Sequence, residues 1–157
     1  REYEYRVGTA AHCRSPFLRP YCWPLAEGLD EAVLAEAAAC LLGEHSFRAL
    51  AKTGQPERGE HCTVLESRWE PWDAGQLYRV RANRFLHHMV RYLVGTMVDV
   101  ARGRRPLAEL PALLENAAGL ETSPPAPAEG LFLTRVYYPA AVLRRDSSTQ
   151  YNAGGYE

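Results

Sequence analysis

The segment from Arg84 to Arg102 most limits what this chain can fold into. At about 100° per residue, Leu86, Met89, Leu93, Met97 and Val100 fall within a sector of roughly 80°, and Arg84, His87, His88, Arg91 and Arg102 gather about the opposite line. A helix with that seam needs an apolar surface to lie on, and Gly103 ends it. Gly95 and Val98 share the side of Arg91, so that side is not uniformly solvent-like and Arg91 is expected to be partly enclosed.

Strands can supply the surface. In Glu2 to Val7 the residues Tyr3, Tyr5 and Val7 alternate with charges, the period of a strand with one buried face. Cys62–Trp69 and Leu77–Ala82 read as two strands separated by Pro71-Trp72-Asp73-Ala74-Gly75, which predicts an antiparallel hairpin. A last strand is expected over Leu131–Tyr138. Asp30 is placed to cap a helix from Glu31 to Leu42 with an apolar stripe of Val33, Ala37, Cys40 and Leu41, stopped at Gly43. A shorter helix is expected near Leu107–Ala117, an extended connection over Ser15–Pro24, and a polar loop over Thr53–Glu60. The class is therefore α+β, an antiparallel or mixed sheet with helices packed on one face.

No run approaches the roughly 20 apolar residues of a membrane span. With 46% hydrophobic residues and a net charge of −1, the 157-residue chain is not compositionally disordered. The exception is the end, where Arg144 to Glu157 carry almost no aliphatic side chains. The expected organisation is one domain over residues 1–139 and a disordered tail over 140–157. The first residues already read as a strand, which suggests a piece of a longer protein.

The net charge hides an asymmetry. Between Leu77 and Arg105 lie Arg79, Arg81, Arg84, Arg91, Arg102, Arg104 and Arg105 with a single acid, Asp99, so this stretch carries +6 and the remainder −7. Clustered arginines suit a phosphate backbone, which makes a nucleic-acid surface a candidate. Cys13, Cys22, Cys40 and Cys62 show no CxxC spacing and are expected as reduced thiols of a cytoplasmic protein. The adjacent pairs His12/Cys13 and His61/Cys62 lack metal-ligand spacing, so no metal is expected.

Four segments carry a more specific signal: Tyr3-Glu4-Tyr5-Arg6-Val7; the helix end Leu41-Leu42-Gly43-Glu44-His45-Ser46-Phe47; Asn83-Arg84-Phe85-Leu86-His87-His88-Met89-Val90-Arg91 with Val94-Gly95; and Ala126-Pro127-Ala128-Glu129-Gly130-Leu131-Phe132-Leu133. In order and spacing they resemble the bacterial tRNA pseudouridine synthase A family over nearly all of Arg1 to Pro139. Ser46 stands where that family has an aspartate.

The resemblance implies the C-terminal subdomain of an isomerase that converts uridine to pseudouridine in the anticodon stem-loop of tRNA, without cofactor or metal. It implies a homodimer in the complete enzyme and a base flipped out of its stack. The family's nucleophile is an aspartate within an Arg-Thr-Asp segment. No such segment occurs here, and Asp30, Asp73, Asp99 and Asp146 lie in other contexts.

Residue by residue, the resemblance makes Arg91 the partner of that absent aspartate and Tyr3 the ring that stacks on the base or relays a proton. By periodicity Tyr3 and Tyr5 read alike, as sheet aromatics on the core. Asn83, Arg84, His87, His88 and Leu131 complete the implied substrate contacts, although by pattern alone the two histidines read as residues of the helix surface. A competing reading is a non-catalytic RNA-binding or assembly module on the same fold, which would have no use for Tyr3 together with Arg91.

Overall fold

The computed structural model describes residues 1–52 and 59–138, so most of the expected polar loop and the whole expected tail lie outside the described residues. The chain forms a six-stranded sheet built on β1 (Glu2–Gly8). One edge of β1 pairs antiparallel with β5 (Gly75–Ala82), which pairs with β4 (His61–Trp72), which pairs with β3 (Gly43–Ser46). Its other edge takes β6 (Leu131–Arg135) antiparallel along Glu2 to Tyr5, and the two-residue β2 (Trp23–Pro24) parallel at Val7 and Gly8. The sheet is mixed.

Period two decides its faces. Tyr5, Val7, Tyr78 and Val80 are completely buried on one face, beneath α1 (Glu31–Ala39) and α2 (Met89–Ala101), which pack on each other. A third helix, α3 (Glu109–Leu114), buries Leu110, Leu113 and Leu114. The Tyr78 hydroxyl meets Ser67 Oγ at 2.8 Å, and Ser67 donates to the Ala38 carbonyl at 2.7 Å, so these two buried hydroxyls are satisfied. Leu93 and Met97 of α2 are fully buried, each worth about 2 kcal/mol of transfer free energy.

The final strand stops at Arg135 rather than Tyr138, and the hairpin turn narrows to Asp73 and Ala74 because β4 runs to Trp72 and β5 starts at Gly75. Three larger expectations change. First, α1 ends at Ala39 and buries Leu34, Ala37 and Ala38 rather than a stripe through Val33, although Asp30 does accept from Val33 N at 3.1 Å. Second, Gly43 adopts φ +98°, and the segment read as a helix end becomes the edge strand β3. Third, α2 begins at Met89. His88 sits in the left-handed region at φ 60°, and Lys52 N donates to the His87 carbonyl at 2.9 Å, so Arg84, His87 and His88 belong to the turn before the helix. The flank of α2 opposite its seam is not open either: the residues 121–127 lie along it.

The other face of the sheet absorbs much of the apparent positive charge. Arg79 bridges Glu2, Glu4 and Glu70 at 3.1, 2.5 and 2.9 Å, and Arg81 faces Glu66 at 3.7 Å. Elsewhere Arg102 pairs with Glu27, Arg104 with Asp99 and Arg105 with Glu109. The +6 stretch is therefore no continuous cationic stripe.

This network sets an acid limit. The Tyr137 hydroxyl and Arg79 hold the Glu2 carboxyl below the ordinary carboxylate range, and Arg79 and Arg68 do so for Glu70. A depressed folded pKa gives stability that is present above the unfolded value and lost as pH falls through the folded one. The melting midpoint should therefore drop as pH falls below about 4. Glu70→Gln should flatten that drop, and an unchanged acid limb in the variant would remove Glu70 from it.

Candidate active site

A cavity of about 310 Å³ opens where the start of α2 meets the Tyr3 end of β1, within the usual range of ligand sites. Tyr3, Phe85, His87, His88, Arg91 and Leu131 line it. Tyr3 is brought there by the alternation of β1, and its ring stands edge-on to Phe85, with centroids 4.9 Å apart. Leu131 arrives by the antiparallel register of β6, where it lies opposite Tyr5. Tyr5 itself is buried in the core and donates to the Pro127 carbonyl at 2.5 Å. Burial pushes its phenol far above the ordinary range, so Tyr5 stays neutral and structural.

Arg91 is half-buried and oriented by a reciprocal pair of bonds. Its Nε donates to the Ala126 carbonyl at 2.6 Å, and Ala126 N donates to the Arg91 carbonyl at 2.9 Å. The loop that offers Ala126 is fixed at several points. Thr96 and Thr122 hydroxyls meet at 2.9 Å, and Arg105 donates to Ser123 Oγ at 2.9 Å and to the Glu121 carbonyl at 2.8 Å. The loop crosses α2 at Gly95, where a Cβ would overlap the Pro124 carbonyl oxygen.

Among the described residues no carboxylate pairs with Arg91. Asp30 caps α1, Asp73 lies in the β4–β5 turn 3.9 Å from His12, Asp99 pairs with Arg104, and Asp146 lies outside the described residues. Desolvation and the charges of His87, Arg91 and Lys52 hold the His88 imidazole below its ordinary pKa, so it is neutral at physiological pH. Its ring lies 4.1 Å from that of His87.

Tyr3, His87, His88, Arg91 and Leu131 are thus brought together, whereas Asn83 and Arg84 do not line the cavity. Asn83 closes the hairpin instead: Thr63 N donates to its Oδ1 at 2.9 Å, and its own N donates to the Thr63 carbonyl at 3.1 Å. Phe85 and the Ala126 carbonyl went unassigned in the sequence. Each lies inside a quoted motif, but only the three-dimensional contacts give it a task. Among the described residues no three of the histidine, cysteine and acidic side chains form a metal-binding group.

Comparison with known proteins assigns the chain to a family. A family model described as tRNA pseudouridine synthase matches residues 37–139. The chain belongs to the tRNA pseudouridine synthase family. That match includes α2, Arg91 and Leu131, while β1 with Tyr3 precedes it. Proteins named tRNA pseudouridine synthase A are similar over wider stretches. The one from Chlorobium limicola is 44% identical over 112 residues, covering 70% of this chain and 45% of its own length. Those from Moorella thermoacetica and Staphylococcus saprophyticus are 38% and 32% identical and cover 78% and 93% of this chain. The chain spans about half the length of these synthases, between 45% and 54%.

Proposed function

We propose that the Tyr3–Arg91 cavity is the share this chain contributes to a uridine-isomerising site acting on the anticodon stem-loop of tRNA. What carries the reading is Arg91, a guanidinium held at Nε by the Ala126 carbonyl beside an aromatic ring, with no acid paired to it among the described residues. A carboxylate brought against its remaining nitrogens would be kept ionised and aimed, which is what a nucleophilic aspartate requires. The aspartate attacks the target nucleotide as the N1 glycosidic bond breaks, and the freed uracil turns against Tyr3 and reattaches through C5, releasing the carboxylate; C5 gives up its proton and N1 gains one, so the product is an isomer of the uridine. The base must leave its stack to enter a cavity of this size.

On this reading the aspartate comes from a segment that these residues do not include, and the chain by itself binds RNA weakly and catalyses nothing. The complete enzyme works as a cytoplasmic homodimer, without cofactor or metal. The test incubates this chain with unmodified tRNA, alone and together with a segment carrying the Arg-Thr-Asp aspartate. Pseudouridine only in the combined reaction is expected. Pseudouridine from the chain alone would overturn the assignment of the nucleophile.

A further inference from the structure

A second concavity, of about 640 Å³, lies on the other flank of the first turn of α2, so that Arg91 faces one hollow and Tyr92 the other. Its apolar wall is Tyr92, Leu120, Pro124 and Pro125, and its polar rim includes Arg48, Asn116, Glu121 and Thr122. Ala51 lines the groove and His87 lines the cavity, so the segment joining them, termed the ridge, leads from one hollow to the other. Lys52, the only lysine of the chain, is exposed there, and its backbone N is tied to the carbonyl of the exposed His87.

We propose that this groove is a second subsite, which holds the unpaired nucleotide adjoining the uridine in the Tyr3–Arg91 cavity. Its base lies on Tyr92, and the connecting phosphate passes over the Lys52–His87 ridge. The inference rests on the reading of that cavity as a uridine site. A flipped uridine leaves its neighbour on the strand unstacked, and the ring of Tyr92, the residue that follows Arg91 on the helix, offers a replacement stack that tolerates any base. Lys52 on the ridge and Arg48 on the rim supply cations for the backbone. Arg48 is 68% exposed and its contact to Glu60, at 3.6 Å, is loose enough to exchange for a phosphate. Glu121 on the same rim is acidic, so the groove suits a base better than a second phosphate.

The probes are UMP, which fills the cavity alone, and the dinucleotide UpU, which reaches both hollows, each titrated into this chain by calorimetry. UpU is expected to bind about tenfold more tightly than UMP, an advantage that Tyr92→Ala removes and Tyr92→Phe keeps, with UMP binding unchanged in both. The exposed variant Arg48→Glu does not touch the core and should weaken UpU alone. If UMP binds but UpU gains nothing over it, or if the gain survives both Tyr92→Ala and Arg48→Glu, the groove is not a subsite while the cavity reading stands. If UMP does not bind, the cavity reading fails and takes the groove with it.

Discussion

Arg91→Lys in the complete synthase is expected to lower the rate of pseudouridine formation by about 10²- to 10³-fold, a loss of about 3–4 kcal/mol of transition-state stabilisation. The substitution keeps the charge, so any effect must come from geometry. Lysine has no Nε–H to give the Ala126 carbonyl while other nitrogens hold a carboxylate, and an ammonium cannot form two parallel bonds to it. The carbonyl of the buried Ala126 loses its donor as well, although the bond from Ala126 N to the Arg91 carbonyl remains. Nucleosides from digested tRNA, separated by chromatography, give the rate, and the melting curve shows whether the fold is intact. A Lys variant keeping more than a tenth of the wild-type rate at normal stability would mean that Arg91 does not position the nucleophile.

Gly95→Ala should be strongly destabilising, costing about 2–3 kcal/mol. The obstacle is backbone rather than a side chain that can rotate away: the Pro124 carbonyl lies where the Cβ would be. Relief requires moving residues 122–126 off the helix, and these are tied down by Thr96, Arg105 and Arg91. Against a total stability of about 5–15 kcal/mol this is a large share. Because the same loop presents Ala126 to Arg91, the Gly95 variant should lose activity even at temperatures where it remains folded. Urea unfolding checks the first claim, and a cost under about 0.5 kcal/mol would show that the loop does not press on the helix as described.

Local pattern carried much of this architecture and failed where distant residues decide. Strand β1 and the β4–β5 hairpin were legible because Tyr5, Val7, Tyr78 and Val80 keep strict alternation and are buried accordingly. Strand β3 was not, because Gly43, Glu44, His45 and Ser46 carry no apolar alternation and their pairing to β4 is set by the turn at Gly43. The helix appeared too long because Phe85 to His88 continue its apolar period, and nothing local announces the left-handed residue at His88. The basic stripe dissolved for a similar reason: Glu2 and Glu4, which neutralise Arg79, come from a strand more than 70 residues earlier in the chain. The partly enclosed Arg91, by contrast, was foreshadowed by Gly95 sharing its helix side.

The central place of β1 also bears on the order of assembly. Tyr5 has Tyr78 on one side and Leu131 on the other, both far along the chain, so the strand that carries Tyr3 is synthesised long before either neighbour exists. Contacts of such sequence separation form late and slow folding. As the polypeptide leaves the ribosome, only the Val7–Gly8 end of β1 finds an early partner, in β2; one edge waits for β5, and the Glu2–Tyr5 stretch of the other stays open until β6 emerges. The cavity wall at Leu131 is thus among the last parts to close, so a nascent chain has no pocket for a base until its sheet is complete.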